Sequence, residues 1–449
     1  MTATREIPTS GESSAPAKAW AKWRDNQRVR RLVGTELAAL TLALMMGPSG
    51  NLTSPTHGFT GSWFTPKVLI FLAGGVVLWA LMESWGALSS AREQVSVAAS
   101  RLRPTDPRVR YALYVVLLLL AIVLPRGLSN FWQEVLVDQI GIYVLLAIGL
   151  NVVVGFAGLL DLGYIAFYAI GAYSCAYWTG VLPVKPPHHF NPFVTIIFAV
   201  IAAMAAGVIL GAPTLRLRGD YLAIVTLGFG EIITLYANNL TSVTGGAQGS
   251  NPVPHFSVNL LGLHYKWRLQ NMPYYYLLLA FVVVILVMFR SLENSKVGRA
   301  WTAIREDEVA AEASGINTYK YKLMAFAIGA STSGFAGVLF ASKIQTVTPL
   351  SFVLQQSILV LVFVIFGGMG SLPGALVGAA VLQWAPNFLR NHFQKQDLFL
   401  FLGALLVVMM IYRPQGIVPS RRRSRELGLA EAGVGTADAM SAPVAGEIQ

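Results

Sequence analysis

The chain has 449 residues, of which 55% are hydrophobic and only 12% are charged. Soluble proteins carry about 25% charged residues, so this composition indicates that lipid rather than water covers much of the surface. The net charge is +11, but Lys and Arg cluster at the ends of apolar runs, which argues against nucleic-acid binding. Because those runs are long and continuous rather than alternating, they exclude a transmembrane β-barrel and predict an all-α polytopic membrane protein.

The first part of the chain predicts an extension ahead of the main membrane domain. Residues 1–31 are rich in Ser, Thr, Pro and Ala and end in a basic stretch, which predicts a disordered cytoplasmic N-terminus. Two apolar runs follow, at residues 32–46 and 68–82, and an arginine-rich linker then returns the chain to the cytoplasm. We therefore interpret residues 32–110 as a two-span N-terminal extension with its linker.

The main membrane domain covers residues 111–412 and contains ten further apolar runs, for about 12 transmembrane helices in all. The predicted spans are residues 111–124, 139–154, 160–179, 193–210, 221–240, 274–289, 323–340, 352–366, 374–389 and 398–411. Alternation of these spans leaves the longest basic segments on one side, the predicted cytoplasmic side. Residues 413–449 contain several arginines and are predicted to form a cytoplasmic C-terminal tail.

Two glycine-rich breaks, at residues 155–158 and 367–370, interrupt these runs. Paired interruptions in corresponding halves predict broken or re-entrant helices that line a transport path. The candidate path glycines are Gly155, Gly158, Gly367, Gly368 and Gly370. The alternative is that glycines let helices approach closely, and we favour it for Gly370, Gly374 and Gly378 and for Ser333 with Gly337.

Ionisable residues within the apolar runs are few: Asp161, Glu231 and, at an edge, Asp138. Such residues are costly in lipid and are often functional. Asp161 and Glu231 are the other path candidates, with helix packing or capping as the alternative. We expect no complementary buried Lys or Arg and hence no ion relay.

Sequence motifs for chemistry are absent. There is no Walker A motif, zinc-protease motif or nucleophile elbow, and Cys175 is the single cysteine. We therefore predict no catalytic residue, no metal site and no cofactor in this chain. Any ATP that drives transport is expected to bind a partner subunit.

The charged stretch at residues 293–322 lies between two strong apolar runs. Alanines recur in it near helical spacing among charged residues, and Gly315 supplies a C-terminal stop. We predict one or two short amphipathic helices on the cytoplasmic side, with a small-residue face that docks a partner. The alternative is a solvated connecting loop.

An ordered set of motifs resembles the LivM-type permeases of bacterial ABC importers for branched-chain amino acids. The matching stretches are GLNVVVGFAGLLDLGYIAFYAIGAY, PTLRLRGDYLAIVTLGFGEI, TGGAQGS, GRAWTAIREDEVAAEASGIN, FGGMGSLPGALVGA and RPQGIVP, at residues 149–173, 213–232, 244–250, 298–317, 366–379 and 413–419. The resemblance implies an ABC permease core at residues 111–412 and a bacterial inner-membrane location, with both termini cytoplasmic.

The resemblance also implies partners. These are a related second permease, two cytoplasmic ABC ATPase subunits and a periplasmic amino-acid-binding protein, all around a lipid-embedded core. The helix at residues 298–317 would be the ATPase-coupling loop, because residues 308–315 resemble a degenerate form of the EAA loop of ABC permeases. The coupling residues would be Gly298, Arg299, Ala303, Arg305, Glu306, Asp307, Glu308, Ala310, Ala311 and Gly315.

Three alternatives remain open. A stand-alone secondary carrier would need an ion site, for example at Asp161 or Glu231. A membrane-embedded transferase would need a polar catalytic cluster at one interface, and the sequence has none. Neither the carrier nor the transferase has a clear use for an ordered docking helix. The third alternative is a permease of the same family that transports urea or short amides.

Overall fold

The computed structural model describes residues 107–216, 219–260, 263–267, 270–389, 403, 405–407, 409–410 and 415–418. The predicted N-terminus, the two spans of the extension, most of the span at residues 398–411 and most of the tail lie outside these residues. Contacts divide the chain into two compact units, Met1–Leu118 with Lys395–Ala404 and Leu119–Gln394 with Leu405–Gln449. Within the described part of the first unit all residues are helical. The sites below belong to the second unit.

The described residues form a helical structure with one small hairpin. The main helices are α1, Pro107–Val123; α2, Asn130–Phe156; α3, Tyr164–Trp178; α4, Pro192–Thr214; α5, Gly219–Asn239; α6, Asn271–Glu293; α7, Lys296–Glu306; α8, Glu308–Ala313; α9, Thr318–Ile344; α10, Leu354–Gly367; and α11, Leu372–Leu389. Short helical turns lie at Leu124–Gly127, Thr241–Thr244, Gly246–Gln248 and Pro349–Phe352. The strands β1, Ser257–Leu260, and β2, Leu263–Lys266, pair antiparallel with Ser257 opposite Lys266. The sequence patterns did not predict this hairpin.

Six helical segments of the described chain are long and apolar enough to cross a membrane. They are Asn130–Phe156, Pro192–Thr214, Tyr221–Asn239, Asn271–Glu293, Thr318–Ile344 and Pro349–Gly367. This confirms a polytopic all-α membrane protein. Most helix ends lie close to the predicted ends, but α2 begins at Asn130 rather than at residue 139. Its first turns include a π-helical stretch, Val135–Gly141, whose polar residues resemble a loop in sequence.

The core of the bundle is built on α2 and α9, whose spans are 83% and 72% buried. Close helix contact in this core depends on glycine. A Cβ atom at Gly171 of α3 would clash with the backbone of Gly334 in α9, and one at Gly337 would clash with the backbone of α3. The Ser333 hydroxyl lies 3.4 Å from the Tyr164 carbonyl across the same contact. The close-packing interpretation of Ser333 and Gly337 is therefore confirmed.

The contact between α10 and α11 follows the same rule. A Cβ atom at Gly374 would lie 2.7 Å from the Gly367 carbonyl oxygen, and one at Gly378 would lie 2.8 Å from the Gly367 Cα. The glycines after the second break thus allow two helix backbones to pack together, as the close-packing interpretation states.

Candidate functional site

Two short helices, α7 and α8, occupy the charged stretch between α6 and α9. The Ser295 hydroxyl caps α7 by accepting hydrogen bonds from the amides of Val297 and Gly298 at 3.1 and 3.4 Å. The Asp307 carboxylate caps α8 by accepting hydrogen bonds from the amides of Val309 and Ala310 at 2.9 and 3.0 Å. Gly315 has φ +84° and ends the second helix. The prediction of one or two helices is thereby confirmed as two.

One side of this helix pair is fixed to the rest of the chain. Trp301 is fully buried, and its indole Nε1 donates a hydrogen bond to the Tyr321 carbonyl at 2.7 Å. Lys322, at the start of α9, forms an ion pair with Glu308. Gly298 is buried against the end of α6, where a Cβ atom would clash with the Glu293 carbonyl. These contacts hold α7 and α8 as ordered elements rather than as a solvated loop.

The other side of the pair is exposed. Val309 is 77% exposed although it is apolar, and Ala310 beside it is also exposed. Ala311, in contrast, is 4% exposed and packs into the chain itself. Of the other coupling-loop candidates, Arg299, Glu306, Asp307, Glu308 and Gly315 are exposed, Ala303 and Arg305 are half-buried, and Gly298 is buried. The coupling role of these residues stays a prediction, and the structure adds Val309, because periodicity alone did not reveal which side packs on α9.

Arg305, near the end of α7, connects the helix pair to both glycine breaks. Its guanidinium Nη1 donates a hydrogen bond to the Gly155 carbonyl in the last turn of α2. The Asn151 side chain, buried one turn earlier in α2, accepts a hydrogen bond from the Gly370 amide at 2.9 Å. The two breaks, which are distant in sequence, therefore meet beneath α7.

Two glycines in this junction leave room for the Arg305 side chain. Gly158 and Gly370 have φ +72° and +78°, in the left-handed region that favours glycine. A Cβ atom at Gly158 would lie 2.9 Å from Arg305 Cγ, and one at Gly370 would lie 2.8 Å from Arg305 Nη1. An alanine at either position would therefore press on the arginine.

In the structure both breaks fall at helix ends, and their role in lining a transport path stays a prediction. The first follows α2 only after a 27-residue span, and the second is the turn between α10 and α11. Gly367 and Gly368 belong to this turn, which also receives a segment near the C-terminus. The amides of Ile417 and Val418 donate hydrogen bonds to the carbonyls of Phe366 and Gly367 at 3.0 and 2.9 Å.

The two carboxylates proposed for the path have different surroundings. Asp161 is 1% exposed, and its Oδ1 accepts a hydrogen bond from the Gly163 amide at 2.9 Å, just before α3. This contact is an Asx turn in the segment before α3, whose N-cap residue, Gly163, has no side-chain cap, so the structure does not confirm capping by Asp161. Glu231 is half-buried on α5, and no hydrogen bond or ion pair reaches it from the residues that the structure describes.

A buried ion pair lies toward the opposite end of the bundle and contradicts the expectation that no buried cation complements the carboxylates. Lys343 is 5% exposed, and its Nζ lies 3.7 Å from Asp138 Oδ1. The same Nζ donates a hydrogen bond to Asn271 Oδ1 at 2.9 Å and lies 5.4 Å from the centre of the Tyr274 ring. The predicted span ended at residue 340, so it stopped one turn before this lysine.

Two cavities lie at opposite ends of the bundle. One, of about 400 Å³, adjoins the Arg305 junction and is lined by residues that include Gly158, Arg216, Glu308 and Lys322. The other, of about 580 Å³, is lined by the glycine-rich loop after α5 and by the segment after α3, including Gly245, Gln248 and Val181. Gly245 and Gly249 in that loop have φ +83° and +76°. The Ser250 amide, at the end of the loop, donates a hydrogen bond to the Val347 carbonyl at 3.0 Å.

Comparison with known proteins gives concordant matches. Residues 134–411 match the family model described as branched-chain amino acid transport system / permease component. The chain is 40% identical to the high-affinity branched-chain amino acid transport system permease protein LivM of Escherichia coli over 340 residues, which cover 70% of this chain and 76% of that protein. It is 26% identical to the permease protein BraD of Pseudomonas aeruginosa and 24% identical to LivH of Escherichia coli, with 62% of this chain and 91% of each relative covered. No solved structure matches.

Proposed function

Because the chain belongs to the family of permease components of branched-chain amino acid transport systems, we propose that it is the membrane-spanning subunit of an ATP-driven importer. Its cargo is a branched-chain or related neutral amino acid, which crosses the bacterial inner membrane into the cell. Both termini lie in the cytoplasm. The fold has about 12 spans, ten of them in residues 111–412 and two in the N-terminal extension.

One observation carries the proposal: an exposed helix joined through its partner helix to the turns at the ends of three spans. Val309 and Ala310 give α8 an apolar exposed side, which suits a docking contact. Arg305 of α7 then links that contact to α2 and to the turn between α10 and α11. A displacement of α8 is therefore transmitted to the membrane helices through a short series of hydrogen bonds.

The mechanism follows from this connection. Two ATPase subunits supply the energy, since ATP binds to them and not to this chain, which needs no cofactor of its own. Their closure moves α7 and α8, and the Arg305 junction transmits the movement to the ends of α2 and α10. The spans then alternate between outward-open and inward-open arrangements around the cargo.

Three kinds of partner complete the assembly. A related second permease pairs with this chain in the membrane, as the likeness to both LivM and LivH suggests. A periplasmic binding protein delivers the amino acid to the side with the larger cavity. Selectivity resides largely in that binding protein.

The coupling proposal is tested by purifying the whole assembly from the source membrane through a tag on this chain. Val309→Arg and Ala310→Arg place a long charged side chain on the exposed side of α8, so we expect the ATPase subunits to be lost. Ser291→Arg, at an exposed position of α6, is the matched control and should retain them. Ala311 is unsuitable for this test because its substitution would disturb packing within the chain.

The outcomes separate the alternatives. If both α8 variants keep their ATPases, the helix pair is not the docking surface. If no ATPase co-purifies with the wild type, the importer proposal fails and the stand-alone carrier becomes the favoured function. Uptake of labelled leucine by vesicles containing the wild-type assembly, compared with labelled urea and acetamide, then tests the cargo.

A further inference from the structure

We propose that one face of α5, formed by Ile224, Gly228, Glu231 and Leu235, is the surface on which the second permease packs within the membrane. This inference rests on the proposed function, because it names where the expected partner binds. We call these four residues the α5 face.

The α5 face is a continuous stripe on one side of the helix. Its members follow one another by four, three and four positions, a spacing that brings side chains onto one helix face. Ile224 and Leu235 are 65% and 56% exposed, and the two residues between them are half-exposed. The opposite side of the helix, with Leu222 and Thr226, is buried in the chain.

Glu231 shows that lipid alone is a poor cover for this stripe. It lies near the middle of the span Tyr221–Asn239 and has no hydrogen bond or ion pair with any residue that the structure describes. A carboxylate facing hydrocarbon is costly, so intramembrane acidic residues face protein or a watery cavity. The cover over Glu231 must therefore supply a hydrogen-bond donor or a positive charge.

Gly228 gives independent evidence for a close neighbour. A Cβ atom added to it would meet nothing within 4 Å, whereas one at Gly171 or Gly207 would meet another helix of the same chain. Glycine costs about 1 kcal/mol relative to alanine inside a helix, and nothing within the described chain requires that cost at this position. Small residues at a membrane-helix surface allow a partner helix to approach.

Comparison with α4 strengthens the case. The spans in α4 and α5 are equally exposed, each only 28% buried. Residues 192–214 contain no ionisable side chain, and exposed positions such as Ile201 and Ile209 suit lipid. Of these two helices, only α5 combines an acidic group with an open glycine.

Charge decides between a second copy of this chain and a related permease. If two copies met symmetrically through the α5 face, each Glu231 would approach the other, and like charges in a low-dielectric environment repel. A related permease can instead offer an apolar helix with a donor at the same depth. The partner that fits is therefore a different, related membrane subunit.

Site-specific photo-crosslinking in the intact assembly tests the inference directly. A photoreactive amino acid is placed at Ile224 or Leu235, with Ile209 on α4 as the control at a 73% exposed position. After irradiation of the source membranes, we expect Ile224 and Leu235 to give a crosslinked product that mass spectrometry identifies as a sequence-related permease. The Ile209 position should give lipid adducts alone.

A packing test uses one matched pair of variants. Gly228→Trp fills the space that the partner helix would occupy, so recovery of the second permease should fall at least tenfold while the level of this chain is unchanged. Ala205→Trp, at an exposed position of α4, adds the same side chain and should leave recovery unchanged.

The negative results are distinguishable. If the second permease co-purifies with the wild type but Ile224 and Leu235 crosslink only to lipid, the α5 face is wrong and the proposed function stands. If no second permease accompanies the wild type, both fail. A crosslink between two copies of this chain would also overturn the inference.

Discussion

Replacement of Arg305 by alanine should loosen the two glycine breaks together. The variant removes the hydrogen bond from the guanidinium to the Gly155 carbonyl. Hydrogen bonds to charged groups contribute about 1.5–3 kcal/mol, which corresponds to a local opening equilibrium shifted by about 10- to 150-fold. The half-buried position of Arg305 argues for the lower part of that range, since water replaces part of the lost interaction.

Hydrogen–deuterium exchange of the purified protein measures this shift. Peptides covering residues 151–158 and 368–371 should exchange about tenfold faster in the variant, because the Gly370 amide is held by Asn151 within the same junction. Arg299→Ala is the control, since Arg299 lies on the same helix and bonds only the nearby Asn294 carbonyl among the described residues, at 3.1 Å.

The result that would refute the reasoning is specific. If Arg305→Ala speeds exchange in α7 alone and leaves both breaks unchanged, the arginine does not connect them. If Arg299→Ala has the same effect as Arg305→Ala, the change reflects general loosening of α7 rather than loss of the junction.

Three further predictions concern other parts of the structure. Asp307→Ala removes the cap of α8 and should cost about 1 kcal/mol, so the amides of that helix should exchange about fivefold faster; unchanged exchange would exclude capping. Lys343→Met leaves Asp138 buried without its cation and should destabilise the protein by about 3–5 kcal/mol in thermal unfolding. Adding Asp138→Asn should recover much of that loss, and failure to recover would show that the pair does not act as a unit. Gly171→Val should separate α3 from α9 and lower the unfolding temperature more than Ala205→Val, and equal effects would contradict the close contact.

Local patterns were sufficient to predict most of the helices. Apolar runs located the spans because lipid requires long continuous segments, and the alanine spacing with Gly315 predicted the helices between α6 and α9. The start of α2 was missed because its π-helical turn contains Asp138 and Gln139, polar residues that resemble a loop end. Prediction was therefore best where one physical requirement dominates a whole segment.

The candidate site was less predictable because it depends on contacts between distant segments. No pattern in the sequence pairs Arg305 with Gly155 or Asn151 with Gly370. Ala310 and Ala311 are adjacent and chemically identical, yet one is exposed and the other packs into the chain. That difference depends on how the helix pair rests on α9, which is a tertiary property.

The segment at residues 415–418 imposes an order on the folding of this chain during synthesis. The buried carbonyls of Phe366 and Gly367 receive their hydrogen bonds from Ile417 and Val418, which the ribosome adds about fifty residues later. An unpaired buried carbonyl costs about 1–3 kcal/mol, so the turn between α10 and α11 remains incompletely stabilised throughout that interval. The turn that adjoins the junction beneath α7 thus gains these two hydrogen bonds only after residue 418 has been added. A chain released before residue 417 would lack both hydrogen bonds at the turn between α10 and α11.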